Sequence, residues 1–192
     1  VGASILFVLS LPLLLLAAVG VRLSFSGPVF FGHERVGKGS KPFRCLKLRT
    51  MVVDAEKWLE RDPDLKNRHK GNGYKLPRSE DPRVTSLGRF LRFTHLDELP
   101  QLINVLRGEM SLVGPRPLVE EELEWYGEKR EELLSVRPGI FGAWTGQGKQ
   151  RVDYPARADV ELAYVRDHSL TGDAAILLKN LPVVLTGQIE EN

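Results

Sequence analysis

The stretch VGASILFVLSLPLLLLAAVGV, Val1 to Val21, decides how the rest of the chain is read. It carries no charged residue, and as a helix it would rise about 30 Å, enough to cross a bilayer. It lacks a basic n-region and a small-residue cleavage site, so a signal peptide is not expected. Length alone points to a plain spanning helix. Pro12 adds a second course: its missing N–H frees a carbonyl one turn back, near Val8, and its ring bends the helix. The Ser10 hydroxyl is placed to satisfy a backbone carbonyl where water is absent. Two arms of about ten residues each would enter half the bilayer and return. Hydropathy does not separate the two courses. Arg22, Arg35, Lys38, Lys41, Arg44, Lys47 and Arg49 follow, so in either case the remainder is expected on the cytoplasmic side.

The 192 residues suffice for one domain with a core. Lys plus Arg is 27 against 25 for Asp plus Glu, a balance that gives no global case for nucleic acid as a partner. The single cysteine, Cys45, excludes an intrachain disulfide and a multi-cysteine zinc site. His33, His69, His95 and His168 have no metal-binding spacing.

Outward from the apolar segment, PVFFGHERV and PFRCLKLRTM, separated by GKGSK, read as a hairpin lined with basic residues. Asp54 to Arg61 reads as a short helix, and Asp62 to Arg83 as a long polar loop. Val84 to Phe93 has helical spacing. Pro100 is suited to open a helix through Leu106 that stops at Gly108. Leu118 to Leu134 reads as one glutamate-rich amphipathic helix, and Arg157 to Arg166 as another helix. The stretch TGDAAILLKNLPVVLTG is too broken to span a bilayer, leaving an interfacial helix or a core helix.

No Walker motif survives inspection of Gly148-Lys149, since Ala143 and Gln150 stand where glycine and Ser or Thr are required. Carboxylates and arginines remain. In LDELPQ, Asp97 and Glu98 sit just before a helix start, where capping is their simplest role. The surrounding cations widen that reading: Arg89 and Arg92 precede them, Arg107 and Arg116 follow, and Lys47 and Arg49 lie on the hairpin. Such cations suit a polyanion such as a diphosphate. The prolines of VGPRP stiffen the backbone around Arg116. Beside a diphosphate, one acid of the pair suits a nucleophile that forms an acyl phosphate, and the other a magnesium ligand. Two other readings stay open here: a membrane-anchored module that binds anionic ligands, and a metal-dependent nucleotide-sugar phosphohydrolase.

The blocks SGPVFFGHERVGKGSKPFRCLKLRTM, DPRVTSLGRFLR, LDELPQLINVLRGEMSLVGPRP and VRPGIFG, in this order behind a proline-containing apolar helix, resemble the small monotopic phosphoglycosyl transferases of bacteria. The resemblance covers nearly the whole chain. It implies an α+β, mostly helical protein with a small hairpin and interfacial amphipathic helices. Residues 1–22 would form a re-entrant membrane helix broken near Ser10 and Pro12, and residues 23–192 a catalytic domain on the cytoplasmic face of the inner membrane. It also implies transfer of a sugar 1-phosphate from a UDP-sugar to undecaprenyl phosphate, with UMP released. Asp97 matches the family's nucleophile and Glu98 its Mg2+ partner. Lys47, Arg49, Arg116 and Arg137 match its basic positions, and Arg89, Arg92, Gln101 and Glu161 are the other expected substrate-binding positions.

This chain departs from the family pattern in four places. Leu11 precedes Pro12 where a serine is usual. His95 replaces a small residue. AWTGQGKQR replaces a tryptophan-glutamine-valine pattern, and Glu161 stands where an aspartate is usual.

Overall fold

The computed structural model describes residues 2–24, 26–71, 76, 80–143 and 154–186. Gly2–Ser24 form one helix, α1, whose leucines and alanines favour helix and whose backbone stays helical through Pro12. A bend at the proline is compatible with this continuity. Proline removes one hydrogen bond, and the apolar flanks continue the helix on either side of it. Ser10 Oγ donates to the Phe7 carbonyl at 3.1 Å, the kind of contact expected of it, one residue earlier than Val8.

Nor does α1 stand free of the body. Phe7, Leu14, Ala17, Ala18 and Val21 form a stripe against Leu48, Leu87, Leu91, Leu96 and Leu99. Near the start of the helix, a methyl group at Gly2 would lie 3.9 Å from Leu112 Cδ1. The opposite face leaves Val8, Leu9, Leu15, Leu16 and Val19 more than half exposed. Among the described residues, α1 is the one helix long and apolar enough to cross a membrane.

The hairpin forms as its alternation requires. Strands β1 (Phe30–Val36) and β2 (Pro42–Leu48) pair antiparallel, with Phe31 opposite Lys47, His33 opposite Cys45 and Arg35 opposite Phe43. One face of the hairpin therefore carries Phe31, His33, Arg35, Phe43, Cys45 and Lys47. Helix α2 (Ala55–Arg61) follows. The stretch read as a loop then begins instead with a helix, α3 (Pro63–Gly71). Asp62 accepts a hydrogen bond from the Leu65 N–H at 2.9 Å and Pro63 opens the first turn, an N-cap signature outweighed in the sequence by polar residues on every face. Residues 72–75 and 77–79 of that stretch lie outside the described residues.

Helix α4 (Ser86–Phe93) is capped by Thr85, whose hydroxyl accepts from Gly88 N. A 3₁₀ turn, Leu96–Glu98, leads into α5 (Gln101–Leu106), preceded by Pro100 and followed by Gly108 at φ 76°. Asn104, fully buried on α5, accepts from Leu46 N and donates to the Arg44 carbonyl and Glu109, which fixes α5 against β2. Strand β3 (Ser111–Val113) pairs in parallel with β4 (Gly139–Phe141), a sheet the sequence did not announce.

The glutamate-rich stretch is a second correction. It is a 3₁₀ ridge, Glu120–Lys129, interrupted at Gly127 (φ 48°), then one turn of helix, α6 (Arg130–Leu133). Leu123 and Tyr126, three apart, are buried, a spacing that fits three residues per turn as well as it fits an α-helix. Helix α7 (Ala156–Asp167) packs there with Leu162 and Val165 against Leu118, Leu123, Leu133 and Leu134. Helix α8 (Leu170–Thr186) packs on β3 and β4. It divides the two expectations for its stretch, with Asn180 buried and Leu170, Leu178 and Leu181 exposed.

Candidate active site

The acid pair owes its position to three neighbours. The Leu96–Glu98 turn is held by α4 on one side and Pro100 on the other, and β2 runs alongside it. Lys47 Nζ reaches Glu98 Oε1 at 2.6 Å, with both side chains about a third exposed. An ion pair this open contributes little to stability. Its importance lies in the placement of charge.

Burial alone would push the Glu98 carboxyl up. The Lys47 ammonium and its hydrogen bond, with His95 and Arg116 adding to them, hold it instead at about 2. Burial likewise opposes the Lys47 charge, but Glu98, Asp97 and Cys45 raise Lys47 above its ordinary value. Asp97, 6 % exposed, therefore lies within the field of Lys47.

The sign of the linkage follows. A depressed carboxylate stabilises the fold above its unfolded value of about 4.5 and loses that contribution as pH falls toward about 2. A raised lysine contributes below about 10.5 and loses its contribution as pH rises through the higher folded value. The pair is ionised throughout the neutral range. Replacing Lys47 by Met leaves burial as the dominant influence, so the Glu98 pKa is expected to climb into or above the ordinary glutamate range. A carboxyl NMR titration of labelled protein reads this directly; an unchanged Glu98 in Lys47→Met would remove the lysine as cause.

Arg116 projects from the segment after β3. Its backbone N–H donates to Glu161 Oε1 at 3.4 Å. Glu161 is 1 % exposed and accepts from Arg157 and from the Tyr126 hydroxyl as well. Expected as a substrate-binding carboxylate, it is here buried behind Arg116 with its oxygens bonded to the Arg116 N–H, Arg157 and Tyr126. A small cleft between Val36, Pro115, Leu118 and Pro138 opens beside Arg116; Asp97 and Glu98 are not among its walls.

The other expected positions divide. Arg49 is partly buried on the strand continuation beside Gly27, with Nη1 enclosed and making no hydrogen bond, a donor available to an anion. Arg92 Nε donates to Thr50 Oγ1 at 2.9 Å, one turn before the acids. Gln101 is buried in the first turn of α5. Arg89 is exposed and bonds back to the Val84 carbonyl and Ser86 at the start of its own helix. Arg137 is exposed beside Gly108, at the opposite end of α5 from the acid pair. The structure thus gathers Lys47, Asp97, Glu98 and Arg116, while Arg89 bonds within its own helix and Arg137 is exposed near Gly108. The divergent loop lies outside the described residues from position 144 to 153.

Arg35 joins this group although the sequence reading left it out. Burial lowers its pKa first and the charge of Arg116 second, while Glu122, paired with it at 3.3 Å, opposes the shift. Alternation along the hairpin contained the signal: 31, 33 and 35 face the same way as 43, 45 and 47. Cys45, between them, is buried, which pushes its thiol up and keeps it unreactive.

Two carboxylates with substrate phosphate oxygens and water would suit Mg2+, which seldom needs an all-protein cage. Among the described residues no group of three or more His, Cys, Asp or Glu side chains converges, so a cation here would rely on Asp97, Glu98 and the substrate.

The site is thus an adjacent acid pair with Lys47 bonded to one acid and Arg116 acting on it, on a body seated against an apolar helix. The chain belongs to the bacterial sugar transferase family, whose pattern it matches over residues 1–187. It is 43% identical over 187 residues to the exopolysaccharide production protein ExoY of Rhizobium meliloti, covering 95% of this chain and 81% of that one. It is 43% identical to the UDP-galactose-lipid carrier transferase of Erwinia amylovora, covering 96% of this chain and 39% of the relative. With the UDP-glucose:undecaprenyl-phosphate glucose-1-phosphate transferase of Caulobacter vibrioides the identity is 38%, covering 97% and 67%. The chain therefore spans about two fifths of some relatives and most of others.

Proposed function

We propose that this protein transfers a sugar 1-phosphate from a UDP-sugar to undecaprenyl phosphate in two displacements at phosphorus. The observation that carries this is the Asp97-Glu98 turn, with Lys47 locked on Glu98 and the charge of Arg116 acting on the same carboxylate. The cations hold the diphosphate, offsetting the roughly 4 kcal/mol of repulsion that a carboxylate meets at about 4 Å from one negative charge at an effective dielectric of 20. An Asp97 carboxylate oxygen attacks the sugar-linked phosphorus. The bond from that phosphorus to the bridging oxygen breaks, and UMP leaves with the bridging oxygen. A phosphate oxygen of the polyprenyl carrier then attacks the same phosphorus, and Asp97 departs as carboxylate. Bound Mg2+, held by Glu98 with Asp97, would neutralise charge on the phosphates. Lys47 keeps Glu98 ionised for that role.

The carrier is a lipid, and α1 supplies the meeting point. Its stripe from Phe7 to Val21 packs on the body over most of its length, which supports a helix that enters the bilayer without crossing it. The apolar opposite face then meets lipid, and the domain remains on the cytoplasmic side of the inner membrane. The phosphohydrolase reading has no use for this helix.

The test is incubation of the purified chain with Mg2+ and a panel of UDP-sugars, without acceptor. A hexose-phosphate mass increment on the peptide containing Asp97, discharged by undecaprenyl phosphate, is the expected result. UMP release that requires acceptor, with no trapped adduct, would replace the covalent route by direct transfer.

A further inference from the structure

Trp125 is the largest side chain on the 3₁₀ ridge, and it is 57 % exposed. It is not a loosely placed surface residue. Its ring stacks on Tyr154, with centroids 5.4 Å apart and planes 10° from parallel. Tyr154 is fixed in turn by the edge of Tyr126 at 6.0 Å, by a hydroxyl–hydroxyl contact of 3.4 Å with Tyr126, and by the Arg157 guanidinium 5.3 Å from its ring centre. Tyr126 and Arg157 both bond Glu161, the carboxylate that holds the backbone of Arg116. A rigid relay thus runs from the indole to the proposed phosphate arginine.

A second line of contacts runs along the ridge. With three residues per turn, Trp125 stands one turn beyond Glu122 on the same side of the ridge. Glu122 pairs with Arg35, on which the charge of Arg116 also acts. One face of the indole is covered by Tyr154, and the side chain nonetheless remains more than half exposed. A large, pre-oriented aromatic face linked through Tyr154, Arg157 and Glu161 to the backbone of Arg116 is suited to a ligand with a planar ring at one end and phosphates at the other. The ridge also carries exposed Glu120, Glu121, Glu124 and Glu128, which disfavour seating Trp125 on an anionic lipid surface.

We propose that the outer face of Trp125 is the stacking surface for the nucleobase of the nucleotide-sugar donor. This rests on the transferase reading and adds to it the residue that receives the base. Stacking against an aromatic side chain tolerates any base, so Trp125 contributes affinity, and selection among bases falls to hydrogen-bonding groups elsewhere.

The test measures binding of UMP and of ribose 5-phosphate, which lacks the base, to the full chain in lipid nanodiscs by calorimetry. Trp125→Ala is expected to weaken UMP by about tenfold or more while leaving ribose 5-phosphate nearly unchanged, and Trp125→Phe to keep most of the affinity. In turnover, Trp125→Ala should raise KM for the UDP-sugar more than it lowers kcat. Equal UMP affinity in Trp125→Ala and wild type overturns the proposal, as does an equal loss for both ligands, which would mark a structural effect on Arg116. Loss of vesicle binding with UMP affinity intact would make Trp125 a membrane anchor and overturns it too. If the wild-type chain bound neither ligand and transferred nothing, the transferase reading itself would fall.

Discussion

Asp97→Asn is expected to bind the UDP-sugar nearly as well as the wild type and to lose sugar-phosphate transfer by on the order of 10⁴-fold. The amide keeps the size of the carboxylate, so the 3₁₀ turn has no steric reason to move. It lacks the charge that attacks phosphorus, and a neutral amide oxygen is a poor nucleophile. Binding should survive because Lys47, Arg35 and Arg116 remain, with one negative charge fewer to repel the diphosphate. The measurement is UMP release with and without acceptor, together with the mass of the Asp97 peptide. A variant that turned over within tenfold of wild type would exclude Asp97 as nucleophile. Glu98→Gln offers the contrast: it loses the partner of Lys47, and its defect should vary with Mg2+ concentration, whereas that of Asp97→Asn should not.

The largest effect on stability is expected from Gly88→Ala. Helix α4 crosses the end of the hairpin strand so closely that a Cβ at Gly88 would lie 2.0 Å from the Thr50 carbonyl oxygen. That oxygen already accepts from Thr85 N and Thr85 Oγ1, and Thr50 Oγ1 accepts from Arg92. The obstacle is backbone, so no side-chain rotation relieves it. The helix must lift, which breaks these bonds and the Met51–Val84 bridge. A loss of about 3 kcal/mol or more is expected, at the upper end for overpacking, read as a lower unfolding midpoint in detergent. Gly20→Ala serves as control. It sits in α1 with its nearest neighbour, Leu87 Cδ2, 3.6 Å from the added carbon, an ordinary contact, and alanine should gain up to about 1 kcal/mol there. Comparable midpoints for the two variants would show that α4 accommodates the methyl group.

These two variants sit on either side of what a linear reading reaches. The LDELPQ pair, the hairpin and helices α2, α4, α5 and α7 were legible because each is specified by a local signal: alternation, an N-cap, a proline before a first turn. Helix α3 had such a signal in Asp62-Pro63, masked by its polar faces. The glutamate-rich ridge was read as α-helix because Leu123 and Tyr126 at a spacing of three satisfy both periods, and Gly127 decides between them only through its backbone angles. Strands β3 and β4, three residues each, are too short to alternate. They pair across the intervening ridge, a non-local contact that no window contains.

By itself, then, the sequence determined the apolar helix, the basic hairpin, the adjacent acids and the family, since these depend on residue order over short spans. Only the tertiary structure decided which charges meet. It laid α1 along the body, paired Arg35 with Glu122, turned Glu161 inward against the backbone of Arg116, and bonded Arg89 to the start of its own helix. The physical reason is that Coulomb interaction and desolvation act over a few ångströms in space, and spacing along the chain does not report that distance until the elements have packed.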